Sequence, residues 1–268
     1  MIHVPITLSE PATLNNKTIP VSVSIPFSNG VLTDQSTLTL ADKNHQAIDK
    51  QIDILAYWPN KSIKWMRIHF YYTCSSSKTT IYLTDNINNK SSDSVIKAIK
   101  VIDKANYFEI ITGEVTFQLM KDELGIFSES ANENKLFKSQ HNSLILTDEQ
   151  NKTHIPFIDE ITFDSQSTAR QLQIKVNVSG TFKNLKKAQS TAFSAEITFY
   201  AEQAYTKWTI TLHNPNCMSH SGGTWDLGNE HSQFFNSFNA LITTPSNDDF
   251  KYQLTQSSPS DSVTGNWF

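Results

Sequence analysis

Polar and apolar residues alternate along most of this chain with the two-residue period of a half-buried strand. Such runs predict strands over 19–25, 38–40, 52–55, 66–72 and 79–83, each short, rich in β-branched or aromatic residues and bounded by Asn, Asp, Gly, Pro or Ser. The pattern returns over 107–112 and 114–119 around Gly113, then over 143–147 and 154–163. It is cleanest over 171–179, 194–200 and 207–212. Strands of this kind are antiparallel with one wet face. The segments Asp42 to Gln46, Asn60 to Ser62 and Asp148 to Asn151 read as turns. No segment carries convincing helical periodicity; Val95 to Asp103 is too short and too β-branched.

Between the two groups of runs, Asp85 to Asp93 holds almost no apolar residue and reads as a linker. The predicted fold class is therefore all-β: a small barrel-like domain over 1–88, then an antiparallel β-sandwich over 96–268. The chain stops on Trp267-Phe268, where another strand is starting, so the expectation is a sandwich incomplete at its C-terminus and the front part of a longer protein.

Composition narrows the partners. The net charge is −4, with 22 basic and 26 acidic residues spread along the chain, which argues against nucleic acid. Arg67 and Arg170 are the only arginines, so a multi-arginine anion clamp is excluded. Cys74 and Cys217 read as incidental thiols rather than a disulfide framework. No cofactor motif is present, a divalent cation being left open. The N-terminus lacks a signal-peptide pattern and no run has the length of a membrane span. That fits a soluble chain, cytoplasmic unless a leader was removed, in which case periplasmic or extracellular.

Candidate chemistry gathers in one place. Three of the eight glycines lie between Gly222 and Gly228, with His220, Trp225, Asp226, Glu230 and His231 close by. Polar ligands such as sugars use this mixture, and so do ordinary glycine-rich turns. His220, Trp225, Asp226 and His231 are the candidate substrate-binding residues, and His220, Asp226 and His231 the candidates for acid–base work. Asp226 reads equally as a turn-fixing carboxylate, and His213 as a structural residue at a strand end. Trp58 and Trp65 read either as a stacking platform or, preferably, as barrel core. Lys61, Lys64 and Arg67 read as surface cations within reach of an acidic polymer.

Two motifs carry a family resemblance. Pro26-Phe27-x-x-Gly30-x-Leu32 and Trp58-Pro59-Asn60-Lys61-Ser62-Ile63-Lys64-Trp65 resemble the N-terminal barrel of the rhamnogalacturonan exolyase-like (YetA-like) family. His220-Ser221-Gly222-Gly223-Thr224-Trp225-Asp226-Leu227-Gly228 is similar to a motif of that family's central β-sandwich. Asn60-Lys61 departs from the Asp-Gly usual there. The resemblance implies a RIFT-related barrel, a β-sandwich and a C-terminal helical α/α toroid. It also implies lyase activity on rhamnose-containing acidic polysaccharide, with much of the active site in the toroid. The expectation is thus a set of non-catalytic front domains, inactive alone, whose partner is an acidic polysaccharide or oligosaccharide. The alternatives are a stand-alone carbohydrate-binding module and a protein-interaction or assembly protein.

Overall fold

The computed structural model describes residues 1–9, 14, 16–75, 78–85, 96–124, 126–130, 135–137, 144–164, 171–182, 191–215, 233–241, 250–255 and 262–267. In chain order the first strands are β1 (His3–Leu8), β2 (Thr18–Pro26), β3 (Thr39–Ala41), β4 (Ala47–Ile48), β5 (Lys50–Tyr57), β6 (Ile63–Thr73) and β7 (Thr79–Thr84). Then follow β8 (Lys100–Asp103), β9 (Tyr107–Ile111), β10 (Val115–Met120), β11 (Ile126–Ser130), β12 (Lys135–Phe137), β13 (Leu144–Asp148) and β14 (Thr153–His154). The last are β15 (Pro156–Asp164), β16 (Gln173–Phe182), β17 (Ala192–Tyr200), β18 (Thr206–His213), β19 (Phe235–Ala240), β20 (Phe250–Thr255) and β21 (Ser262–Trp267). A 3-10 turn spans Gln35–Thr37. The protein is all-β, as the alternation predicts.

The first seven strands form two sheets, β1-β7-β3-β4 and β2-β6-β5, with every pairing antiparallel. Their inward positions make one core. On β6 these are Met66, Ile68 and Phe70, which meet Ile25, Leu40, Ile81 and Leu83. Fully burying a side chain of this size stabilises by roughly 1.5–3 kcal/mol.

The remaining strands build a second core. A five-stranded sheet, β12-β11-β10-β9-β8, accompanies the meander β15-β16-β17-β18 and the small sheet β14-β13-β19. Val176, Val178, Phe193, Ile197 and Phe199 point inward from the meander toward Ile110, Phe117, Leu119 and Leu146. Phe117 and Phe199 meet edge to face, their centroids 5.3 Å apart. β20 and β21 pair only with each other among the described strands.

The predicted turns sit where expected. Gly113, at φ +101°, links β9 to β10 in a conformation that resists a side chain. Asp42 accepts from the Asn44 and Gln46 amides between β3 and β4, at 2.9 and 2.8 Å. Asp148 does the same for Gln150 and Lys152, at 3.0 and 2.8 Å. The segment 95–103, denied helix by its composition, contributes β8. Most of the expected linker, residues 86–93, lies outside the described residues.

Candidate functional site

The four sequence candidates, His220, Trp225, Asp226 and His231, lie outside the described residues, as do Arg170 and Cys217. His213, at the end of β18, is exposed. Two other regions of the molecule do concentrate polar chemistry.

The first lies where the two cores meet. The face of β2-β6-β5 turned away from its own core carries Ser22, Asp53, Gln51, Arg67, His69 and Tyr71. Alternation alone marks these positions as wet, yet His69 is 2% exposed and Tyr71 9%. The reason is that β16 and the β17–β18 turn cover them. Gln51 Oε1 accepts from the backbone amides of Leu172, at 2.8 Å, and Gln173, at 3.1 Å. The Tyr71 hydroxyl donates to the Ala201 carbonyl, and the ring joins the sandwich core. Burial, then Tyr205, Glu202 and Tyr200 nearby, push that phenol's ionisation far above its ordinary range.

His69 sits at the middle of this network. Nδ1 is 2.7 Å from Ser22 Oγ, Nε2 is 2.7 Å from Asp53 Oδ2, and the Gln173 amide is 3.3 Å from Nε2. With Nε2–H donating to Asp53, Nδ1 accepts from the Ser22 hydroxyl. Burial pushes the Asp53 carboxyl up. The His69 hydrogen bond and charge, the Gln51 amide and Arg67 outweigh it and hold the carboxyl below the ordinary range. A serine nucleophile relay uses the ring in the opposite sense, Nε2 toward the hydroxyl and Nδ1 toward the carboxylate. The trio, with Gln51, ties the sheet β2-β6-β5 to the start of β16.

The second region is the solvent face of the meander. Register aligns its side chains in rows across four strands: Glu160, Ser179, Ser194, Thr211, then Thr162, Asn177, Glu196, Thr209. Together they floor a half-open hollow of about 390 Å³. Lys175 donates to Glu196 Oε1 at 2.8 Å, so one of the two carboxylates is paired. Phe157, 42% exposed, lies one row along at one end. Tyr200 and Tyr205, centroids 5.5 Å apart, lie farther off in the other direction, beyond the row of Lys175 and Thr198. Hydroxyls, an amide and carboxylates spaced in this way suit a ligand rich in hydroxyl groups.

The two barrel motifs turn out to be one clasp. The Ser62 hydroxyl accepts from the Gly30 amide at 2.9 Å and donates to Asn60 Oδ1 at 2.7 Å. Trp58 Nε1 donates to the Phe27 carbonyl at 2.9 Å. Phe27 N donates to Lys64 O at 3.0 Å, and Ile63 N to Leu32 O at 2.7 Å. Gly30 takes φ +80°, the left-handed region that glycine tolerates best. Lys61 takes φ +65°, so the turn is kept without the family's glycine at a strain of roughly 1–2 kcal/mol.

Residues 8–82 match the family model of the PcRGLX-like N-terminal RIFT barrel domain. This segment is similar to a PcRGLX-like RIFT barrel. The match supports the rhamnogalacturonan exolyase-like N-terminal domain that the motifs resemble. No curated protein matches the chain.

Within the RIFT barrel, one expectation is corrected. Neither Trp58 nor Trp65 fills the core: Trp65 is 41% exposed, and Trp58 is half-buried in the clasp with Lys64 Nζ 4.6 Å above its ring. The inward places on β6 belong to Met66, Ile68 and Phe70, and Trp65 falls on the opposite parity. No described group of three or more His, Cys, Asp or Glu side chains is placed to hold a metal. No described helix is long and apolar enough to cross a membrane. Sequence reasoning missed both polar regions. The available signal was β16, whose outward residues Lys175, Asn177 and Ser179 combine charge, amide and hydroxyl on a single face.

Proposed function

We propose that this chain is the polymer-engaging, non-catalytic front part of a carbohydrate-active protein of polysaccharide-lyase type. Its substrate class is polysaccharide containing rhamnose and uronic acid, and the bond-breaking groups reside in an α/α toroid. The observation that carries this reading is the PcRGLX-like RIFT barrel at residues 8–82. Its clasp motifs are spent on structure, which supports a scaffolding role for the barrel.

Among the described residues, the commitments of His69, His154 and Tyr71 fit the non-catalytic part. Uronide elimination needs a free base beside a group that neutralises the carboxylate. His69 is buried between Ser22 and Asp53. His154 Nε2 is 2.8 Å from Asp148, whose carboxyl is held below its ordinary range by that hydrogen bond first and by backbone amides next. The Tyr71 hydroxyl is committed to a carbonyl. Each of the three already has an occupation.

Incubation with rhamnogalacturonan tests the reading, following the ultraviolet absorbance of unsaturated uronide products and, in parallel, retardation in polysaccharide-containing gels. The expected outcome is retardation without new absorbance. Product formation by this chain would overturn the non-catalytic assignment. Unretarded migration would overturn polymer engagement.

A further inference from the structure

We propose that the solvent face of the β15–β18 meander is a binding site for a neutral sugar residue. This rests on the reading that the protein engages polysaccharide, and it names the place and the kind of residue taken. The hollow of about 390 Å³ lies at the lower end of the range typical of small-molecule sites, roughly 300–1,000 Å³. It suits one or two sugar rings.

The lining decides the chemistry. Glu196 and Asn177 lie side by side on paired strands, at the register position Asn177↔Glu196, with Thr209 opposite Glu196 on the next strand. A carboxylate accepts from two adjacent hydroxyls at once, and an amide both donates and accepts. Ser179, Ser194 and Thr211 continue the same polar floor one row along. A flat array of this kind matches the ring hydroxyls of a pyranose.

Charge excludes the acidic alternative. Glu160 and Glu196 both line the hollow, and Lys175 is already hydrogen-bonded to Glu196. A uronate carboxylate placed there would share the hollow with Glu160, which has no ion-pair partner among the described residues, and like charges repel. The site therefore takes the neutral member of a mixed polymer and rejects the acidic one. The face is built to remain open: Asn177, Ser194, Thr209 and Thr211 are exposed, while the alternate residues Val178, Ala195 and Ile197 are buried in the core.

Calorimetric titration of the whole chain with L-rhamnose, β-linked galactose oligomers and oligogalacturonate tests this, with rhamnogalacturonan gel retardation run alongside. The wild type is expected to bind a neutral probe and to bind oligogalacturonate at least tenfold more weakly. Asn177→Ala and Thr209→Ala, both at exposed positions, should each weaken neutral-sugar binding by about five- to tenfold, the loss of one or two ligand hydrogen bonds. Glu160→Gln with Glu196→Gln should narrow the discrimination against oligogalacturonate, because Lys175 is then left without its carboxylate. Neutral-sugar binding that these variants leave unchanged overturns the site while polymer engagement stands. So does tighter binding of oligogalacturonate than of neutral sugars by the wild type. Failure of every glycan, polymer included, overturns both the site and the reading beneath it.

Discussion

The barrel and the sandwich each turn a polar sheet face away from their own core, and the two faces meet different fates. On the barrel, Gln51, His69 and Tyr71 are buried against β16 and the β17–β18 turn. On the sandwich, Asn177, Ser194 and Thr209 stay in water. Both faces show the same two-residue alternation. The difference lies in commitment: the barrel's polar atoms have protein partners fixed in direction, whereas the sandwich's floor an open hollow. A hydrogen-bonding residue buried with partners is costly to remove, and the same residue in solvent is not.

Substitutions separate the two faces, and the strongest lies beneath the open one. Gly180 faces inward, and a Cβ there would fall 2.0 Å from the Phe157 carbonyl oxygen and 2.9 Å from the Phe193 ring. Gly180→Ala should cost about 4 kcal/mol or prevent folding, since backbone must move to make room; urea unfolding measures it. At the buried barrel face, Gln51→Ala leaves the Leu172 and Gln173 amides without their acceptor. The expected loss is about 3 kcal/mol, read from the same unfolding curves, with faster amide exchange at those two positions.

Acidity sharpens the contrast. The Asp53 carboxyl is held below its ordinary range when folded, so its contribution is full above the unfolded value, near 4, and disappears as pH falls through the folded one. Wild-type stability should drop below about pH 4, and Asp53→Asn should flatten that part of the profile. Thermal melts across pH 2–6 decide it; an unchanged slope would remove Asp53 from the account. Tyr71→Phe keeps the ring in the core and deletes the hydroxyl's bonds to the Ala201 carbonyl and, at 3.5 Å, the Leu172 carbonyl. It should cost about 1 kcal/mol, or roughly 2–4 °C in melting temperature. On the open face, Asn177→Ala should change stability by less than about 0.5 kcal/mol, whatever it does to sugar binding.

The strands were readable because alternation reports which residues share a face. β16 to β18, the clean alternators, are where the pattern places them, and the turns at Asp42, Gly113 and Asp148 follow from local chemistry alone. What alternation does not report is what covers the second face. His69 and Tyr71 carry the sequence signature of solvent positions, and only the docking of β16, some hundred residues later, buries them. The hollow was hidden for a related reason. Its floor draws two polar residues from each of four strands between Glu160 and Thr211, and only the register brings them together. The tryptophans misled in the opposite sense, since size suggested core while parity assigns that role to Met66 and Ile68. The glycine-rich segment around His220 lies outside the described residues, so its part is unassigned.

The Tyr71 phenol reaching across to Ala201 has a bearing on how this protein can be cut or recombined. An excised RIFT barrel would carry a naked aromatic ring and a stranded glutamine on its flank, inviting aggregation. A chimera that grafts the barrel onto another sandwich must supply a carbonyl where Ala201 offers one and two amides where Leu172 and Gln173 do. The halves are therefore best inherited together, as a single unit of manufacture.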